Sequence, residues 1–147
     1  MADKLNRNEY VRAVLATAGD ASFEPVHVQK LFFLLDERLA KRMGGRYFHF
    51  QPYDYGPFDK EVYDALGNLH VTGDVQVDVD WRGLRHYCLT PAGLDRGKRD
   101  LAKLSKALQA EIQRHTEWVR AQSFATLVST IYKFYPHMRA NSVFVDS

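Results

Sequence analysis

His86 and Cys88 stand two residues apart, a spacing that puts both side chains on one face of an extended strand. An imidazole beside a thiol is the pairing that activates a cysteine nucleophile. The plainer reading, a hairpin residue next to a small half-buried cysteine, is preferred here. The remaining histidines (His27, His49, His70, His115 and His137) are scattered without the paired spacing of a metal site. No phosphate-cradling glycine loop or nucleophile elbow occurs. No catalytic residue, metal ligand or cofactor is therefore expected, and the chain is not expected to be an enzyme. The unusual chemistry lies instead in Tyr53-Asp54-Tyr55-Gly56-Pro57-Phe58, which crowds three aromatics, an acid, a glycine and a proline into six residues.

The elements around that stretch follow from periodicity. Tyr10, Val11, Val14, Leu15 and Ala18 recur at helical spacing and stop at Gly19, a candidate C-terminal cap. A second helix is expected over about 26–43, stopped by Gly44-Gly45. Its stretch Leu31-Phe32-Phe33-Leu34-Leu35 is apolar nearly all round, as suits a central helix buried on several sides. Residues 47–51 alternate aromatic and polar and read as a short strand. A third helix is expected from Pro57 to about His70, with Pro57 at its first position and Gly56 extended as the cap. Val75, Val77, Val79 and Trp81 alternate along one face, Arg82-Gly83 supplies a turn, and residues 84–90 return, which makes a β-hairpin. Thr90-Pro91 opens a further helix. A stripe from Leu94 to Val119 is consistent with one long helix over 91–120, although Gly93 and Gly97 could break its first turns. Ser123 caps a last helix that ends at Pro136, leaving a tail over about 137–147.

The expected fold class is α+β, mainly α. It is a winged-helix-like core of helices and one hairpin, with a long C-terminal helix and a final short helix. One domain over 1–147 is expected, without linker or repeat. A chain of 147 residues that is 46% hydrophobic can fill a core, burying about 68–70% of its unfolded surface. Cys88 is the sole cysteine, so no internal disulfide can form and a reducing compartment is the simpler reading. The opening residues are charged and polar, unlike a secretory signal. No apolar run approaches the roughly 20 residues of a membrane span. A soluble cytoplasmic protein is expected.

The net charge of +2 hides an asymmetry. From Tyr47 to Trp81 seven acids face Lys60 alone, a local charge of −6, whereas residues 82–120 carry +5. Two readings stand: solvated faces of opposite sign, or surfaces that meet partners of the opposite charge. A DNA-reading winged helix would use the helix before the hairpin. That helix carries Asp59, Glu61 and Asp64, which phosphates would repel. The basic stripe of Arg96, Lys98, Arg99, Lys103 and Lys106 leaves a nucleic-acid-binding regulator as the alternative.

Gln29-Lys30-Leu31 opening the central helix, Tyr55-Gly56-Pro57 opening the next element, Leu66 and Leu69 before Gly73, Leu89-Thr90 with Gly93, Tyr135-Pro136, and Asn141-Ser142 form an ordered set. In these motifs the chain resembles the SocA-like or Panacea antitoxin domain and its YwgA-like relatives of bacteria and their phages, over about residues 8–144. The QKL and YGP motifs are the most specific part. The resemblance implies a compact helical domain without cofactor that neutralises a toxin encoded beside it, or adapts a partner to a protease, by direct protein contact.

Tyr53, Asp54, Tyr55, Phe58, Asp59, Glu61 and Asp64 are accordingly the candidate partner-binding residues. Gln29, Lys30, Gly56 and Pro57 are the candidate structural motif. Lys30 among apolar neighbours needs either a pair, for which Asp54 is the candidate, or a route to solvent. The aromatics either plug the core or form an exposed binding surface.

Overall fold

A computed structural model describes residues 4–145, so Met1, Ala2 and Asp3 of the polar start and the last two residues of the expected tail lie outside it. Helix α1 (Arg7–Ala16) begins at Asn6, whose side chain accepts the Glu9 N–H while Glu9 accepts the Asn6 N–H, a reciprocal cap. Helix α2 (Pro25–Met43) starts on a proline and ends at Gly44 in the left-handed region, φ +86°. Every residue from Val28 to Asp36 is buried, so α2 is the central helix, as its all-round apolarity implies. The buried Asp36 carboxylate accepts the N–H groups of Tyr47 and Phe48 at 3.1 and 3.0 Å and pins the returning chain to α2.

Two expectations fail in the next segment. The strand expected at 47–51 is unpaired as far as Phe50, and only β1 (Gln51–Tyr53) forms a ladder, with β2 (Gly56–Phe58). The helix expected to start at Pro57 is α3 (Lys60–Val71). Gly56 takes φ +96°, which is neither extended nor a helix cap, and Asp59 is the residue that caps α3, accepting the Glu61 N–H at 2.9 Å. The proline therefore sits in a strand, where its missing N–H costs nothing at the edge of a two-stranded ribbon.

Strands β3 (Val75–Val79) and β4 (Arg85–Leu89) form the expected antiparallel hairpin, Val75 opposite Leu89 and Val79 opposite Arg85. Phe23, between α1 and α2, bridges Tyr87 through a reciprocal backbone pair of 2.8 and 2.9 Å. The hairpin leaves the core as it extends: Val75 is buried, Val77 half-buried, and Trp81 is 92% exposed.

The single long helix expected over 91–120 is two, α4 (Pro91–Ala102) and α5 (Lys106–Ala121). Ser105 adopts an extended conformation and accepts the Leu108 N–H, starting a new helix. The break lets each helix face a different neighbour. The buried face of α4 is Gly93, Gly97 and Asp100, and it packs against α1; α5 buries Leu108, Ile112, Thr116 and Val119 and packs against α2. Gly93 and Gly97 break nothing; they permit close approach. A Cβ on Gly93 would stand 1.9 Å from the Asp74 carbonyl oxygen, and one on Gly97 would stand 2.8 Å from Ala16 and from the Arg12 carbonyl oxygen. Helix α6 (Phe124–Phe134), capped by Ser123, and a 3-10 turn (Pro136–Arg139) that buries Met138 complete the chain. The result is a mainly helical α+β fold with two small antiparallel strand pairs. Among the described residues no helix is long and apolar enough to cross a membrane.

Candidate functional site

Asp54 and Tyr55 form the tip of the β1–β2 hairpin, between the paired Tyr53 and Gly56. Among the described residues no residue other than glycine has positive φ, so the turn is not one with left-handed central residues. Gly56 supplies the reversal instead. It is buried, and a Cβ there would lie 3.3 Å from the Tyr132 ring.

Three anchors hold the hairpin. Gln29 exchanges two hydrogen bonds with the Asp59 backbone, accepting its N–H and donating to its carbonyl, both at 2.9 Å. The Lys30 ammonium donates to the Pro57 carbonyl at 3.2 Å. From the other side the tail closes over the tip: Asn141 donates to the Pro52 carbonyl at 3.1 Å, and the Val143 N–H donates to the Asp54 carbonyl at 2.9 Å. Tyr132 donates to the Ser142 hydroxyl at 2.6 Å, which in turn reaches the Asp54 carbonyl. The motifs containing Gln29, Lys30, Gly56, Pro57, Asn141 and Ser142 thus meet at one place, although they are spread along the chain.

The candidate Lys30–Asp54 ion pair is absent. Among the described residues no carboxylate lies within 4.0 Å of the Lys30 ammonium, which is only 5% exposed. Burial pulls its pKa down to about 8. Snorkelling to solvent is not its solution either.

The aromatics divide. Tyr53 is 57% and Tyr55 45% exposed, so neither is a core plug. Tyr53 stacks on Phe58 at 5.3 Å, and Tyr55 meets Phe124 edge-on at 5.1 Å. Phe58 is half-buried and contacts Tyr63 edge-on. Burial, with the nearby Tyr87, pushes the Tyr63 hydroxyl up to about 12. Tyr53, Tyr55, Phe58, Tyr63 and Phe124 line a pocket of about 250 Å³, and Lys30 and Asp54 are also in its wall. Phe124 was not a candidate from the sequence. Its position after Ser123, at the start of an apolar helix, reads as an ordinary first-turn residue.

The acids do not act as one surface. Asp59 is buried and structural, since its carboxylate also accepts the His49 N–H at 2.7 Å, and it leaves the partner-binding set. Glu61 pairs with Arg7 at 3.0 Å. Asp54 and Asp64 remain exposed. Further along, Asp80 bonds His86 and Arg82, which hold its carboxyl below the usual range. His86 is thereby directed to Asp80, and burial pushes the Cys88 thiol up, the opposite of an activated nucleophile.

The basic stripe also loses members. Arg96 pairs with the buried Asp74, and Lys103 pairs with Glu9 at 3.0 Å. Lys98, Arg99 and Lys106 stay exposed. Asp74 and Asp100, both buried, share Arg12, at 2.9 and 2.6 Å. Burial alone would raise the Asp74 carboxyl, but bonds from Arg96, Arg12 and Thr72 outweigh it and leave the pKa below its ordinary value. No group of three or more His, Cys, Asp or Glu that could hold a metal ion occurs among the described residues.

No protein-family model matches the chain, and neither a curated protein nor a solved structure matches it significantly.

Proposed function

We propose that this chain works by binding another protein, as an antitoxin-like module that neutralises or adapts its partner, with the β1–β2 hairpin as the docking surface. The observation that carries the reading is that Tyr53, Tyr55 and Phe124 are large rings left exposed around one pocket, Tyr53 stacked on Phe58 and Tyr55 edge-on to Phe124. Rings of this kind, rigid and partly apolar, dominate the energetics of protein interfaces. The hairpin is held from both sides, by α2 and by the tail, so docking costs little ordering of the backbone. Exposed Asp54 at the tip and Asp64 on α3 favour a partner that brings basic groups to the rim.

The finer fold reading is a winged-helix-like core. It is supported by the order α1, Phe23 bridge, α2, α3, β3–β4 hairpin, with β4 between Phe23 and β3. In that arrangement α3 would be the reading helix for DNA, and its exposed Asp64 and single Lys60 oppose that use. The nucleic-acid alternative keeps Lys98, Arg99 and Lys106, while Arg96 and Lys103 are spent on internal pairs.

The test is co-expression with the product of the adjacent gene, reading both co-purification and rescue of growth. Wild-type protein is expected to do both, and Tyr53→Ala/Tyr55→Ala, folded by circular dichroism, to lose both. Rescue and co-purification unchanged in the double variant would refute the hairpin as the docking surface.

A further inference from the structure

We propose that the pocket beneath the hairpin is a carboxylate-binding site for a small organic acid, whose carboxylate meets the Lys30 ammonium and whose aromatic or branched aliphatic body lies against Val26, Phe58 and Phe124. An ammonium has three N–H donors. One of the three on Lys30 goes to the Pro57 carbonyl, a neutral acceptor at 3.2 Å. No carboxylate pairs with it among the described residues, and the single acid in the pocket wall, Asp54, stands exposed at the hairpin tip. A cation taken out of water without a counter-ion is costly, and an entering anion recovers that cost in proportion to the burial.

The rest of the wall narrows the ligand. Tyr63 lines the pocket beside Gln29, and a phenol keeps its proton at neutral pH; burial raises its pKa further, to about 12. It is a second group able to donate. Gln29 has both ends of its amide engaged with Asp59, so it offers the ligand little. The polar end of the pocket therefore presents donors and one positive charge. That balances a monoanion; a phosphate dianion would leave one charge uncompensated inside an apolar wall. The volume sets the body. A dry cavity of about 150 Å³ accepts benzene, so about 250 Å³ holds one ring with a short acid arm. Charge forms part of the selectivity, because exposed Asp54 also lines the pocket and repels acids of higher charge more strongly.

Ligand binding here requires no protein partner, and the first comparison uses the wild-type chain. Isothermal titration with 3-phenylpropionate is compared with the neutral 3-phenylpropanamide of nearly the same shape. The acid is expected to bind about tenfold or more tightly than the amide, the loss of one charge-assisted hydrogen bond. Lysine Cε NMR should show the Lys30 titration move upward from about 8 when the acid is bound. Lys30→Met should bring the acid down to the affinity of the amide. Equal binding of acid and amide, no saturable binding of the acid below about 10 mM, or an unmoved Lys30 titration would each overturn the assignment. The acid–amide comparison uses the unaltered protein, so a variant that fails to fold does not decide the matter.

Discussion

Arg12 and Lys30 both carry positive charge toward the interior, one where α1 meets α4 and the other where α2 meets the hairpin. Arg12 sits between Asp74 and Asp100, and Asp74 is also held by Arg96 and Thr72. Two buried acids and two arginines balance one another there, and glycines at 93 and 97 bring the backbones close around them. Lys30 has one carbonyl for company, an open pocket beside it and exposed rings at the rim. A balanced, closely packed cluster holds a fold together. A buried charge left unbalanced beside a cavity is a poor device for stability and a good one for meeting a ligand.

The largest expected effect breaks the first of these. Arg12→Ala leaves Asp74 and Asp100 buried without their shared cation and is expected to cost about 3–5 kcal/mol in urea unfolding. The folded Asp74 pKa is depressed, so its contribution is full above the ordinary carboxylate pKa and is lost as pH falls through the folded value. Acid unfolding of Arg12→Ala should accordingly show a shallower loss of stability below about pH 4 than the wild type.

Gly93→Ala comes next, because a methyl group would meet the Asp74 carbonyl oxygen and force α4 away from it. A loss of about 3 kcal/mol is expected. By contrast, Gly67, exposed on α3 with open space around its Cα, should gain about 0.5–1 kcal/mol as alanine.

Lys30→Met tests the other region with the opposite sign. Lowering a lysine from 10.5 to about 8 corresponds to about 3 kcal/mol of destabilisation at neutral pH. Leaving the Pro57 carbonyl without its donor returns about 1 kcal/mol, so the variant should be about 2 kcal/mol more stable than wild type at pH 7. The unfolded lysine holds its proton between about pH 8 and 10.5 while the folded one has lost it, so wild-type stability rises with pH across that window. The gap between Lys30→Met and wild type should close there. A variant destabilised by as much as Arg12→Ala would mean that the two regions are built alike.

The smallest stability effect belongs to Tyr55→Ala, which removes one edge-on ring contact with Phe124 at an exposed site. Less than about 1 kcal/mol is expected in thermal or urea unfolding.

The sequence was most legible where a local period decides the structure. α1 and α2 fall where apolar spacing puts them, because their burial follows from their own pattern; alternation also places the β3–β4 hairpin, but not its burial, since Val79 and Trp81 on the apolar face are exposed. Pro57 misled for a physical reason: a proline after glycine opens helices and also fits the edge of a ribbon. The choice is made by Gln29, Lys30 and Tyr132, which lie far away along the chain. The α4–α5 break has a local sign, Ser105 as a cap, but the leucines on either side continue one stripe and conceal it. Of the candidate site, Tyr53, Tyr55 and Phe58 were visible as misplaced aromatics. Asp59 was misread as surface because its capping role depends on where α3 begins, and Phe124 joins only through tertiary packing. The Arg12 cluster was illegible, since its acids lie 62 and 88 residues away.

The most direct test of the contrast is the titration of Lys30 itself, followed by Cε NMR of lysine-labelled protein with Lys30→Met to assign the signal. Burial without a carboxylate partner predicts a midpoint well below 10.5, at about 8. A midpoint at or above 10.5 would mean that Lys30 is solvated or paired, and the hairpin would then stand over an ordinary lysine.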